Sequence, residues 1–197
     1  GTYVFPDTDG TSGQVISTDG AGTLSWSSVA SANSLQDDDA DTQIQVEESA
    51  DEDVIRFDIA GTEYFKMDTG RIEITNTGNS VFIGEGAGAT DDYSTNNNVG
   101  VGTNTLTSNS TGVYNTAVGH QALKENTSNS NTAIGAYCLD ANTSRTWNTG
   151  IGSYTLSDNT SGYSNVGIGY TSLRYMQTGN ANTAVGNQTL QNATGNG

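Results

Sequence analysis

The sequence predicts an all-β protein. Its main body is an elongated parallel β-roll, or β-solenoid, of about seven 17-residue repeats, preceded by small β modules. Three observations lead there. A short phrase recurs through residues 79–197 and closes each time on a glycine: Gly84, Gly102, Gly119, Gly135, Gly152, Gly169 and Gly186, at steps of 18, 17, 16, 17, 17 and 17 residues. A period this short and regular marks one supersecondary unit stacked on itself. Apolar residues make up only 32% of the chain, which is low for a globular core. Val, Ile and Leu nevertheless fall at fixed places in the period, as the thin core of a solenoid requires. Gly, Asn, Ser and Thr fill the rest, and no stretch supports a helix of any length.

Residues 1–28 read as a hairpin-rich N-terminal module. Short strands alternate with Asp9-Gly10 and Asp19-Gly20, dipeptides that tolerate the positive φ of tight hairpin turns. Phe5 and Trp26 are its expected anchors. Residues 29–42 are small and polar and end in Asp37, Asp38, Asp39 and Asp41. They read as a solvated linker, because the acid run lacks the glycine and distal glutamate of a calcium loop. Residues 43–78 form a small acidic β-domain. Ile44, Val46, Val54, Ile55, Phe57, Ile59, Tyr64, Phe65, Met67, Ile72 and Ile74 fit three or four strands with period two. Turns are expected at 60–62 and 68–70.

Residues 79–197 are the β-roll repeat domain. Each copy is numbered here from its closing glycine as position 0. Position −1 is always Val or Ile, position −3 is Val or Thr, and position +4 is Leu in six copies. Positions −1 and −3 share one strand face by alternation, so both are expected to join Leu in the core. Position −2 is small in six copies: Gly100, Ala117, Ala133, Gly150, Gly167 and Ala184. Expected on the opposite, outward face, these residues are the candidate chain–chain interface, since small side chains permit close backbone approach. Phe82 breaks that rule where the layer is expected to widen toward the preceding domain. Position −4 is Asn in six copies, which predicts a ladder of stacked side-chain amides.

The charge excludes some partners. The formal net charge is −16, with sixteen of the 22 acidic groups in residues 1–78. An acidic front repels nucleic acid and anionic membranes, and no apolar run is long enough to insert in a bilayer. Cys138 is the only cysteine. It occupies a position filled elsewhere by Ala122, Thr155, Ser172 and Thr189, which reads as a small packed residue. The chain starts at Gly1 rather than Met and its last copy runs on to Gly197, so a segment of a longer protein is expected.

Chemistry is thinly represented. His120, the only histidine, sits at a variable position and reads as exposed. Too few His and Cys residues exist for a metal site, and no paired carboxylates converge for glycan cleavage. No catalytic, cofactor or metal residues are expected, and the protein is read as a non-enzyme. Binding is better supported. Tyr137 and Tyr154 share position +2 and should stack, and with Trp147 and Tyr170 they are the candidate glycan-binding residues, because aromatic faces and nearby amides suit sugar rings. The alternative is that these rings cover loop backbone or fill a trimer interface. A threonine file at −3, as ice-binding solenoids use, is set aside because its Val/Ile strand partners place it on the core face.

The phrase Asn-Thr-Ala-Ile-Gly, seen at 131–135, resembles the head repeats of trimeric autotransporter adhesins. The longer form with a following Leu resembles repeats in bacteriophage tail-fibre and tail-spike proteins. Residues 13–26 and 41–75 resemble further modules of phage tail proteins. The resemblance implies a homotrimer in an extracellular virion tail fibre. Its partners would be neighbouring fibre or tail segments and a glycan or protein receptor on the host surface. The alternatives are a bacterial cell-surface adhesin or self-assembling filament, and a polysaccharide depolymerase spike.

Overall fold

The computed structural model describes residues 4–12, 14–28, 34–36, 42–46, 54–75 and 78–193. All regular structure among them is β. The chain divides into two compact units, Gly1–Ile72 and Glu73–Gly197.

In the first unit, β1 (Gln14–Thr18) and β2 (Leu24–Ser28) form an antiparallel hairpin with Val15 opposite Ser27 and Thr18 opposite Leu24. Asp19 Oδ1 accepts the N–H groups of Ala21 and Thr23 at 2.8 and 3.0 Å and fixes the turn. Trp26 anchors the hairpin as expected: its indole N–H donates to the Thr8 carbonyl at 2.7 Å, and its ring lies against Gly10. Phe5 is exposed instead.

A second sheet runs in the order β3 (Ser34–Gln36), β4 (Gln43–Val46), β5 (Ile55–Ile59), β6 (Thr62–Asp68), β7 (Arg71–Ile74). β3 lies inside the expected linker and pairs antiparallel with β4; its three residues are too few to show a period in the sequence. The Asp37–Asp41 acid run lies outside the described residues. The expected turns are present: Ala60 and Gly61, then Thr69 and Gly70, take positive φ between 44° and 78°. Phe57 and Phe65 pair edge-to-face at 5.0 Å.

The second unit is the predicted parallel β-solenoid. Its strands are β8 (Val81–Ile83), β9 (Val99–Val101), β10 (Thr116–Val118), β11 (Thr132–Ile134), β12 (Thr149–Ile151), β13 (Val166–Ile168) and β14 (Thr183–Val185), in sheet order with each pairing in parallel with the next. The register matches position to position: Ala117 opposes Ala133, which opposes Gly150, which opposes Gly167. A second wall bonds turn to turn at Leu, where Leu123 N–H donates to the Cys138 carbonyl and Leu139 N–H to that of Thr155, both at 3.0 Å. Seven strands give a sheet about 29 Å long at the usual strand spacing.

The strand faces are the reverse of the expectation. Position −2 points into the roll: Ala117 and Ala133 are fully buried, as are Gly100, Gly150 and Gly167, and Ala184 is 3% exposed. These six residues therefore cannot form a chain–chain interface. Positions −1 and −3 point outward. The physical reason is lumen volume. Leu106, Leu123, Leu139, Leu156 and Leu173 fill the interior with the +3 side chains Thr105, Ala122, Cys138, Thr155 and Ser172, all at 0% exposure. A three-residue strand turns one side chain inward, and only hydrogen or methyl fits there. A Cβ on Gly150 would lie 2.4 Å from Cys138 Sγ and 3.4 Å from Leu139 Cδ1. Phe82 obeys the same rule inverted. It occupies the lumen where position +4 is Gly88, whose Cβ would meet the Phe82 ring at 2.6 Å.

The corners depend on positive φ at four positions of the period. The closing glycines lie at 122–135°, and positions −5, +2 and +4 lie at 45–68°. The leucines thus hold a left-handed conformation that bulky residues rarely adopt. Asn at −4 does not have positive φ; its neighbour at −5 does.

Candidate functional site

Three features of the solenoid could carry function: an internal polar frame, an outward strand face, and two sets of aromatic side chains at the corners.

The frame is made of two buried asparagine columns. In the first, at −4, each side chain joins two turns. Asn148 Nδ2–H donates to the Gly162 carbonyl at 2.8 Å, and its Oδ1 accepts the Asn165 backbone N–H at 3.0 Å. Asn98, Asn115, Asn131 and Asn165 repeat that acceptor bond. The ladder is mainly amide to backbone rather than amide to amide. The second column, at +7, consists of Asn109, Asn126, Asn142 and Asn159, all at 0% exposure. Asn142 Nδ2–H donates to Asn126 Oδ1 at 2.8 Å, and Asn126 Nδ2–H to Asn109 Oδ1 at 3.1 Å. Sequence reasoning missed this column because these residues lie in Ser/Thr/Asn-rich stretches that read as turns; their recurrence at +7 was the available signal. Met176 replaces Asn there once, with its Sδ accepting from Asn182 Nδ2 at 3.2 Å.

The outward face carries Ile83, Val101, Val118, Ile134, Ile151, Ile168 and Val185 at −1, and Val81, Val99, Thr116, Thr132, Thr149, Val166 and Thr183 at −3. None is buried, and neither column contains a charge. Ile83, Ile134, Ile151 and Val185 are the more exposed members. The threonines thus face solvent, which overturns the ground on which ice binding was set aside. The first unit also leaves apolar side chains open: Leu35, Ile59 and Ile72 are more than half exposed.

Tyr137 and Tyr154 stack as expected, with centroids 4.9 Å apart and planes at 8°. Their other contacts cover them. His120, exposed as expected, abuts Tyr137 edge-on at 5.1 Å. The Arg174 guanidinium lies 5.0 Å from the Tyr154 centroid, and Tyr170 meets Tyr154 edge-on at 6.5 Å. The pair is a braced stack with little free ring face. Trp147, at −5, is separate from this group and 65% exposed.

Cys138 is buried and unpaired, and burial pushes its thiol up to about 12. Burial, reinforced by nearby Asp158, pushes the Asp140 carboxyl up to about 6. Among the described residues, no three His, Cys, Asp or Glu side chains cluster as metal ligands, and no helix is long and apolar enough to cross a membrane. The chain matches no family model, no curated protein and no solved structure.

Proposed function

We propose that this chain is a structural and adhesive segment of an extracellular fibre. It assembles with copies of itself, as the trimer its resemblance to adhesin heads implies, and contacts a host surface; a bacteriophage tail fibre is the favoured setting. The observation that carries the reading is the outward face. Every turn leaves the Val or Ile at −1 unburied on the outward face, four of the seven exposed. Exposed β-branched side chains in continuous register, without a charge to break the row, favour burial against another protein surface. A bacterial surface adhesin or filament would use the face in the same way, and genomic neighbourhood separates the two settings.

Mass in solution is the test. Sedimentation of the chain should give a trimer. Val118→Lys with Ile151→Lys should yield a folded monomer, because those side chains already point outward. Monomeric wild-type protein would remove the reading. One observation favours a second: Thr116, Thr132 and Thr149 stand in register on the outward face, half-buried, with Thr183 exposed two strands on. A monomer that depresses the freezing point below the melting point would mark that face as ice-binding.

A further inference from the structure

We propose that the ligand-facing aromatics are those at the corner before each strand, Tyr114, Trp147 and Tyr163, and that they receive an uncharged, extended glycan. This rests on the adhesive reading above and assigns it a place and a ligand class. Tyr114 and Trp147 share position −5. Ser130 lies between them, its N–H bonded to the Val113 carbonyl and its own carbonyl to Trp147 N–H at 2.9 and 3.1 Å. The two aromatics are therefore two turns apart, about 10 Å at the strand spacing. Tyr163 sits one residue earlier in the next turn, with its N–H held by Asn180 Oδ1 at 3.0 Å.

Two observations separate these rings from the Tyr137–Tyr154 stack. They are open: Tyr114 and Trp147 are 64% and 65% exposed, and neither pairs with another aromatic ring or cation among the described residues. They are also placed at local cost. Both lie at φ of 60–63°, a conformation that Asn tolerates and bulky residues resist. Other copies fill the position with Asn97, Ser130, Ser164 or Ala181. An exposed aromatic in a disfavoured backbone conformation gains nothing from its own fold, and such local conflicts concentrate at functional positions.

Charge selects the ligand. The strip formed by 111–114, 128–130, 144–147, 161–164 and 178–181 contains one charged residue, Arg145, among hydroxyls and amides. Residues 79–197 hold only three basic groups, Lys124, Arg145 and Arg174, against six acidic ones, so the solenoid offers a polyanion no basic surface, whereas an uncharged sugar polymer needs only apolar ring faces and hydrogen-bonding rims. The rings occupy only some turns, unlike the −1 column, which suits a ligand lying along the corner better than a second copy docked on a uniform repeat.

The test is calorimetric titration of the full chain with linear hexasaccharides of glucose, mannose, galactose and N-acetylglucosamine, and with polygalacturonate as the acidic comparator. A neutral sugar should bind. Trp147→Ala and Tyr114→Ala should each weaken it tenfold or more, Trp147→Phe should restore most of the loss, and Tyr137→Ala should change it less than twofold. Ala181 already occupies the same corner, so the alanine variants should fold. Failure of every neutral probe, tighter binding of polygalacturonate, or binding indifferent to Trp147 and Tyr114 overturns the proposal. So does a change in the oligomer's mass on Trp147→Ala, which would give the rings to a neighbouring copy. The trimer reading is judged separately, by the wild-type mass.

Discussion

At the scale of single residues, the solenoid matches sizes between turns. The +3 side chain of one turn faces the −2 residue of the next. Ala122 precedes Ala133, Ser172 precedes Ala184, and the bulkier Cys138 and Thr155 precede Gly150 and Gly167, whose Cβ positions they would obstruct at 2.4 and 2.7 Å. Thr105 precedes Ala117, and its hydroxyl donates to the Gly102 carbonyl at 3.2 Å. Gly150→Ala should therefore destabilise by about 1–3 kcal/mol through overpacking. Adding Cys138→Ala should recover most of that loss in denaturant unfolding; simple additivity in this double-mutant cycle would refute the pairing. Asp140 gives a pH prediction. Its carboxyl is raised to about 6, chiefly by burial, and Oδ1 has no hydrogen-bond partner. The native state favours the neutral acid, so this group's stabilisation is full below the ordinary carboxylate range near 4. It is lost as pH rises through about 6. Asp140→Asn should raise Tm at pH 7 and leave it nearly unchanged at pH 4. An equal shift at both pH values would rule out the titration.

At the scale of the element, one turn is closed by side chains as much as by strands. Three paired residues per turn are a short ladder, and the −4 Asn ties each turn to the next at the corner. Asn148→Ala leaves the buried Asn165 N–H without its acceptor and the Gly162 carbonyl with the Asn159 amide alone. With each unsatisfied buried group costing about 1–3 kcal/mol, the variant should lose more stability in guanidinium than a cavity of the same size explains. Asn148→Asp should also destabilise, because it restores the acceptor but not the donor and buries a charge. The period, the strand position, the Leu column and the −4 ladder were all legible in the sequence, because each repeats the same residue type at the same phase. The direction of the strand was not. Alternation says that −1 and −3 share a face but not which face, and hydrophobicity pointed the wrong way: the interior prefers Ala and Gly at −2 because Leu123 or Leu139 has already filled it. The left-handed leucines were equally hidden, since nothing in a Leu side chain announces positive φ. The candidate site was half legible. The Tyr137–Tyr154 stack follows from shared phase, but its covering by His120 and Arg174 depends on side-chain directions that spacing does not fix.

At the scale of the molecule, the two units gain stability in different ways. The first has short antiparallel strands with many apolar side chains in solvent, Leu35, Ile59 and Ile72 among them. Its folding should depend on protein concentration, as that of a weakly cored domain stabilised by association does. The solenoid contains its own stabilising unit, and in a stack each turn interacts chiefly with its neighbours. That makes its length a variable. Excising residues 136–152, the 17 positions from one closing glycine to the next, joins Gly135 to Ser153 in phase. It also removes Cys138 and Gly150 together, so no mismatched pair remains. The shortened protein should keep its circular dichroism per residue. Its denaturant m-value for the solenoid transition should fall by roughly one sixth, in proportion to the surface buried. Excising 136–148 instead joins Gly135 to Thr149, which deletes the Leu, both asparagines and the corner while keeping the strand. Register is lost there, and the loss should pass to the turns on either side. If both deletions cost the same, turn-to-turn register would not be what holds the stack, and the assignment of the asparagine and leucine columns as its frame would fail.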